Sequence, residues 1–429
     1  MRWWCYELLM RALQPWLRRK LRRRAQTEPL YGQWVEQRFG HYAGPSPRFD
    51  LWIHAVSLGE ARAAGVLLAA LRRQAPTLRV LLTHGTATGW AQGQSLLREG
   101  DVQAWLPWDT RAAVDGFLRH FQPRLGLLIE TEVWPQLVLA CRAQGVELVL
   151  ANARLSAQTL RKSMRLWFWS QPAYAALTEA WAQTDDDAQR LSELGVQRLA
   201  TLGNLKYDAQ ADPAQVELGR AWRAALDTPV LLLASSRAGE ELAWVRALAQ
   251  HPGAYLPLVV PRHPQRFDEV AQCLQAEGWQ VLRRSDWPRD PSAWAQACQT
   301  PRLMLLGDSL GEMTVYYALA RLALMGGSFG RYGGQNLIEA LACACPVILG
   351  PHTHNFEQVS EDAVQAQAAT RVIDMDQAVR LAVQWCEQPE ATEGLSARGL
   401  ALLEGHRGVA ERMASAVLQK LSLVNLKDH

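Results

Sequence analysis

Short unbroken apolar runs recur along this chain, each followed by ten or more residues with apolar positions at helical spacing. In the first half the runs lie at 51–55, 79–83, 124–129 and 147–151. In the second half they lie at 230–234, 255–260, 303–306, 322–325 and 346–349. The runs do not alternate with polar residues, which predicts strands covered on both faces, as in parallel α/β sheets. After the first run, 61–73 reads as a helix. The stretch 208–228 is polar, Ala-rich and strandless, and marks a domain junction. The pattern predicts two Rossmann-like, doubly wound α/β domains facing a cleft, with ligands at strand carboxyl ends. The expected spans are a leading segment at 1–25, a first domain at 26–212 and a second at 213–429. The last helix has the option of packing back on the first domain.

A length of 429 residues suits two domains, and 49% hydrophobic residues supply two cores. That composition excludes disordered, collagen-like and disulfide-scaffold chains. The formal charge of +3 is unevenly placed. Arg2, Arg11, Arg18, Arg19, Lys20, Arg22, Arg23 and Arg24 face only Glu7 in residues 1–24, a net +7, so the other residues sum to 3 − 7 = −4. A mildly acidic body argues against a nucleic-acid-binding protein. The 7 cysteines contain no C-x-x-C pair and point to a reducing compartment. Cys343 and Cys345 read as small buried residues or as a redox or metal pair.

Residues 3–17 are apolar but interrupted by Glu7 and Arg11, and are too short to span about 30 Å of hydrocarbon. The charges follow the apolar part, the reverse of a signal peptide. With Trp3, Trp4 and Trp16 before a polybasic flank, the segment reads as amphipathic and suited to an anionic membrane surface through residues 1–24, on the cytoplasmic side. A solvated basic arm, or a helix packed on the body, is the alternative.

Candidate chemistry gathers after the strands. Ser57-Leu58-Gly59-Glu60 places a carboxylate at a helix start, where Glu60 fits a general base or a dipole-favoured acid. Glu130-Thr131-Glu132 brings two acids to a strand end, one of them expected to face a cleft; the plainer reading is a helix start capped by Thr131. Lys206 lies in a Gly/Asn turn of a chain that otherwise uses Arg by default. Pro261-Arg262 follows a strand and suits a phosphate or carboxylate clamp. The 307–312 turn, with Leu310, Gly311 and Glu312, offers N–H groups to an anion. From Gly326 to Glu339, strand, glycine loop and helix start follow in the order that anion binding requires, and Glu339 is placed to hold ribose hydroxyls. Neither G-x-G-x-x-G in a leading βα unit nor a P-loop is present. Asp185-Asp186-Asp187 reads as a helix start, not a metal motif. Two α/β domains with the glycine loop in the second suggest a nucleotide-sugar glycosyltransferase.

The segments S-L-G-E at 57–60, E-T-E-V-W-P at 130–135, N-A-R-L-S at 152–156, G-N-L-K-Y-D at 203–208, P-R-H-P-Q-R at 261–266, G-D-S-L-G-E at 307–312, G-G-S at 326–328, G-G-Q-N-L-I-E at 333–339 and G-P-H-T-H-N-F at 350–356 stand in this order. Together they resemble the 3-deoxy-D-manno-octulosonic acid (Kdo) transferases of lipopolysaccharide synthesis over roughly residues 30–400. The resemblance implies a glycosyltransferase-B fold and inverting transfer of Kdo from CMP-Kdo to a lipid A precursor (lipid IVA) at the cytoplasmic face of the inner membrane. By position it implies Glu60 as base, with Glu130 and Lys206 assisting the transition state. Pro261, Arg262, Leu310, Gly311, Glu312, Gly327, Ser328, Asn336, Leu337, Ile338 and Glu339 match the CMP-sugar segments. N–H groups and side-chain cations can stabilise departing CMP, so no metal or other cofactor is expected.

The chain departs from the family pattern at Gln335, where His is common, and at Ser235-Ser236-Arg237, where Ser-Thr-His is common. Its leading segment is also less apolar and more basic than the spanning anchor usually assigned to the family. Another two-domain glycosyltransferase or a nucleotide-sugar 2-epimerase shares the architecture, but an epimerase has no need of a basic lipid-facing arm. The joint presence of Glu60, Glu130, Lys206, Arg262 and Glu339 argues against a catalytically idle scaffold.

Overall fold

A computed structural model describes residues 2–45, 48–288 and 290–427. They form two compact units, Met1–Asp208 with Gly408–His429, and Ala209–Arg407. The first boundary thus falls at Asp208, not 212, and the second unit ends at Arg407, not 429.

The first unit holds a parallel sheet in the order β3-β2-β1-β4-β5-β6-β7. Its strands are β1 Phe49–His54, β2 Val80–His84, β3 Val102–Trp105, β4 Pro123–Ile129, β5 Glu147–Ala153, β6 Glu179–Ala182 and β7 Leu199–Thr201. The second unit repeats the plan in the order β10-β11-β9-β8-β12-β13-β14. These are β8 Val230–Ser236, β9 Leu256–Pro261, β10 Gln280–Arg283, β11 Leu303–Leu306, β12 Leu322–Met325, β13 Val347–Leu349 and β14 Ala369–Arg371. Both sheets change winding direction beside their central strands, as doubly wound folds do.

Five strands escape the apolar-run reading: β3, β6, β7, β10 and β14. Four are sheet edges, where one side has no neighbour and water wets part of the strand. Their sequences, such as Gln280-Val-Leu-Arg283, are accordingly mixed and only partly buried. The fifth, β6, begins with Glu179, whose carboxylate accepts from Trp181 Nε1 and pairs with Lys420. Central strands show the opposite: Leu51, Trp52 and Ile53 of β1 are fully buried on both faces.

Helix α1 (Arg2–Ala25) packs one side on the first unit. Tyr6 donates to Asp109 at 2.6 Å, Glu7 accepts from the Arg111 N–H, and Leu17 and Leu21 are buried. The other side leaves Trp4, Leu8, Leu9, Leu13 and Trp16 exposed. Among the described residues no helix is long and apolar enough to cross a membrane. Helix α2 (Leu58–Gln74) starts three residues before the expected 61 because Ser57 caps it.

The last helix, Val409–Lys427, lies against the first unit through Val409, Ala410, Met413, Ala414, Val417 and Leu421, which share a core with Leu67, Leu71 and Leu205. Its start is held by Asp208, which accepts from Gly408 N at 2.7 Å and Ala410 N at 2.5 Å. Asp208→Ala removes this cap. The expected loss is about 1–2 kcal/mol in urea unfolding, with faster amide exchange across the first turns of that helix.

Candidate functional site

The carboxyl end of β1 runs into Val56-Ser57 and then α2. Ser57 Oγ accepts from the Glu60 N–H, and the Glu60 carboxylate returns to accept from Val56 N at 2.6 Å and Ser57 Oγ at 3.2 Å. This is a capping box displaced by one residue, so Glu60 does serve the helix start. The same folding-back buries it. Burial pushes its carboxyl up to about 7; the Val56 bond opposes this, and the charges of Glu130 and Glu132 reinforce it.

Glu130 follows β4 with φ +65, the left-handed region. Its carboxylate meets Lys206 Nζ at 2.7 Å, both side chains largely buried. Lys206 comes from a loop that Asn152 ties down: the Asn152 side chain accepts from Leu205 N at 3.0 Å, itself at φ +53 and fully buried. Leu205 anchors the same loop in the core. The N-A-R-L-S and G-N-L-K-Y-D motifs are therefore one device, which carries a lysine to a strand-end glutamate. Glu132 accepts from Trp134 Nε1 at 2.8 Å, and burial holds its carboxyl above the usual range.

Thr131 does not cap the helix Pro135–Ala143. That role falls to Asp109, buried, which accepts from Gln136 N at 3.0 Å and Leu137 N at 2.8 Å. Asp185, Asp186 and Asp187 do form a helix first turn, capped by Thr184. Among the described residues no group of three or more His, Cys, Asp or Glu is disposed to hold a metal ion. Cys343 and Cys345 are buried free thiols, and burial pushes Cys343 up to about 12.

In the second unit the glycine loop does meet an anion, but it is the chain's own. Glu240, at the start of the helix Glu240–Gln250, is buried. It accepts from Gly327 N at 2.7 Å, Phe329 N and Gly330 N at 3.2 Å, and Arg237 N at 2.8 Å. Gly327 has φ +73, a conformation glycine adopts without strain. Ser328 is fully buried; its hydroxyl donates to Met325 O and accepts from Gly350 N, joining the ends of β12 and β13. Leu337 and Ile338 are core residues, and Glu312 pairs with Arg284 at 2.8 Å. These positions shape the loops, while Leu310 stands exposed and Gly311 O accepts from Gln215. Asn336 Oδ1 accepts from Ile338 N at 3.2 Å, and Glu339 accepts from Thr314 Oγ1 at 2.8 Å.

Around the carboxyl ends of β8 and β9 the structure collects cations. Arg262 follows Pro261 and donates Nε to Gln335 Oε1 at 3.2 Å. Arg237 bonds His263 and stacks over Tyr332, 5.2 Å from the ring centroid. Burial and the charges of Arg237, Arg262 and Arg266 hold His263 below the usual range. Both departures from the family pattern thus fall into this cluster, with Gln335 accepting from an arginine. Sequence reasoning missed Glu240 and Glu241, which binds Ser236 and Arg266. The signal was Gly239-Glu240-Glu241, separated from the end of β8 by two residues.

Two parallel, doubly wound units with charged side chains at their strand carboxyl ends define the glycosyltransferase-B class of fold. The fold is similar to UDP-GlcNAc 2-epimerase from Neisseria meningitidis bound to UDP-GlcNAc (TM-score 0.56, 14% identity, 87% of this chain and 99% of that one), a likeness of fold alone. The profile of the family described as 3-deoxy-D-manno-octulosonic-acid transferase (kdotransferase) matches residues 33–209. The chain is 42% identical over 433 residues to the 3-deoxy-D-manno-octulosonic acid transferase of Bordetella pertussis, covering 96% of this chain and 98% of that one. It is 31% identical over 400 residues to that of Haemophilus influenzae, covering 90% and 91%. The chain belongs to the Kdo transferase family and is a glycosyltransferase that transfers Kdo.

Glu240→Gln removes a charge from a bed of backbone donors. Stability is expected to fall by about 2 kcal/mol in urea unfolding, with the 326–334 loop opening to limited proteolysis.

Proposed function

We propose that this transferase moves Kdo from CMP-Kdo to a hydroxyl of a lipid A precursor, with inversion at the anomeric carbon and Glu60 as general base. The observation that carries this reading is a carboxyl whose proton affinity sits near 7, beside the Glu130–Lys206 pair. A base with that affinity is about half ionised at neutral pH and basic enough to take a hydroxyl proton in the transition state. The acceptor oxygen bonds the anomeric carbon, its proton passes to Glu60, and the bond to the CMP phosphate breaks with its electrons leaving on phosphate. Arg262 and Arg237 in the second unit offer charge to that phosphate without a bound metal. Lys206 offsets the Glu130 charge near the base.

Incubation with CMP-Kdo and a lipid A precursor is expected to release CMP and add Kdo to the lipid; no CMP release overturns the reading. In wild type, kcat/KM should fall about ten-fold per pH unit below pH 7, because the base must be unprotonated. Glu60→Gln should abolish transfer while CMP binding persists. The folded state holds the Glu60 proton more tightly than the unfolded chain does, so its burial costs stability as pH rises from the usual carboxylate range through 7. Glu60→Gln should therefore unfold at equal or higher temperature than wild type above pH 7.

We further propose that α1 holds the enzyme on the cytoplasmic face of the inner membrane. The exposed Trp4, Leu8, Leu9, Leu13 and Trp16 share one side of a helix that ends in Arg22, Arg23 and Arg24. Trp4→Ser with Trp16→Ser should weaken binding to anionic vesicles at all salt concentrations. Reversing Arg22, Arg23 and Arg24 to Glu should remove the salt-sensitive part, about 1 kcal/mol for each basic residue at the surface. Unchanged vesicle partitioning in both would assign attachment to another surface.

A further inference from the structure

The first unit buries two histidines, His54 and His84, that the proposed reaction does not use. His84 ends β2, with Nδ1 2.7 Å from Ala55 O. A carbonyl only accepts, so Nδ1 carries the hydrogen and Nε2 is a bare lone pair. Nε2 is buried and has no partner. Burial brings the ring down to about 4, so it is neutral at physiological pH.

The carbonyl of Ala55 and the N–H of Val56 belong to one planar peptide unit. That N–H donates to Glu60 Oε2 at 2.6 Å. His84, the 55–56 peptide and Glu60 thus form one continuous hydrogen-bonded line. A donor on the carbonyl polarises the peptide and strengthens its N–H as a donor. The next carbonyl, Val56 O, is held by Thr86 Oγ1 at 2.8 Å, Thr86 N at 3.0 Å and Gly85 N at 3.3 Å. Residues 84–86 therefore clamp both peptides that precede the Ser57 cap. The ring fits only because residue 93 lacks a side chain: a Cβ on Gly93 would lie 2.1 Å from Nε2. The charged and titratable groups facing this line are Glu130 and Glu132 near the carboxylate and, behind the ring, His54 and Arg38, whose Nη2 donates to Gly85 O at 3.0 Å.

We infer that His84 is a positioning residue: it orients the 55–56 peptide so that the Val56 N–H fixes the place and proton affinity of Glu60. This rests on the proposed role of Glu60 as base. It asks for a donor at Nδ1, not merely for a ring that fills space.

The test compares His84→Asn, whose amide donor falls near Nδ1, with His84→Gln, whose amide reaches toward Nε2. Both are assayed in the full chain with CMP-Kdo and a lipid A precursor across pH. His84→Gln is expected to lower kcat by roughly ten- to a hundred-fold, the scale of a misplaced reacting group. Its acid limb should move to higher pH because the carboxylate loses a donor, while KM for CMP-Kdo stays level. His84→Asn should recover most of the rate and the wild-type limb. Gly93→Ala, which displaces the ring, should behave as the Gln variant does. Equal kcat and equal acid limbs for the Asn and Gln variants, whether both high or both low, overturn the inference while an inactive Glu60→Gln leaves the base standing. Transfer by Glu60→Gln would instead remove the base reading itself.

Discussion

A carboxylate taken out of water needs donors, and at the ends of parallel strands the nearest are backbone N–H groups with no partner in the sheet or helix. This chain meets that constraint repeatedly. Asp109 holds Gln136 and Leu137, Asp187 holds Leu155, Asp208 holds Gly408 and Ala410, and Glu240 holds the glycine loop. Each bond joins segments far apart in sequence at the rim where the loops would otherwise be mobile. Each acid is satisfied, so burial does not raise its energy unopposed.

Glu60 belongs to the same set, and its place beside Glu130 and Glu132 gives it a further property. It accepts one backbone N–H and one hydroxyl, whereas Glu240 accepts from four backbone N–H groups. With fewer donors and two acidic neighbours, its burial is only partly offset, and its proton affinity rises. The helix-capping and catalytic readings of Glu60 are therefore not rivals. Capping folds the carboxylate back under the strand end, and burial there, reinforced by Glu130 and Glu132, is what makes it basic.

The ionic pairs divide in a parallel way. Arg266–Glu241 ties the turn at 264–266 to the helix Glu240–Gln250, and Arg284–Glu312 joins the turns at 284–286 and 307–312, all within the second unit. Glu130, whose charge acts on the Glu60 carboxyl, is paired with Lys206 by way of a strained Glu130 backbone and the Asn152 anchor. Left-handed conformations at non-glycine residues cost about 1–3 kcal/mol and persist where surrounding bonds over-determine them.

The central strands were legible because strands covered on both faces are largely apolar, and β1, β2, β4, β5, β8, β9, β11, β12 and β13 carry that mark. Edge strands such as β7 and β14 were not, since half-wetted backbone tolerates mixed residues. The family motifs were equally legible, because collinear loop residues survive as a written order. What the order could not say is which member of a motif faces a ligand and which holds the loop. In G-G-S and L-I-E the serine and both aliphatics turned inward, and the acid in the glycine bed came from 87 residues earlier in the chain. Those assignments depend on which donors are left unpaired once the sheet has formed. That is a property of three-dimensional packing, which no local pattern encodes.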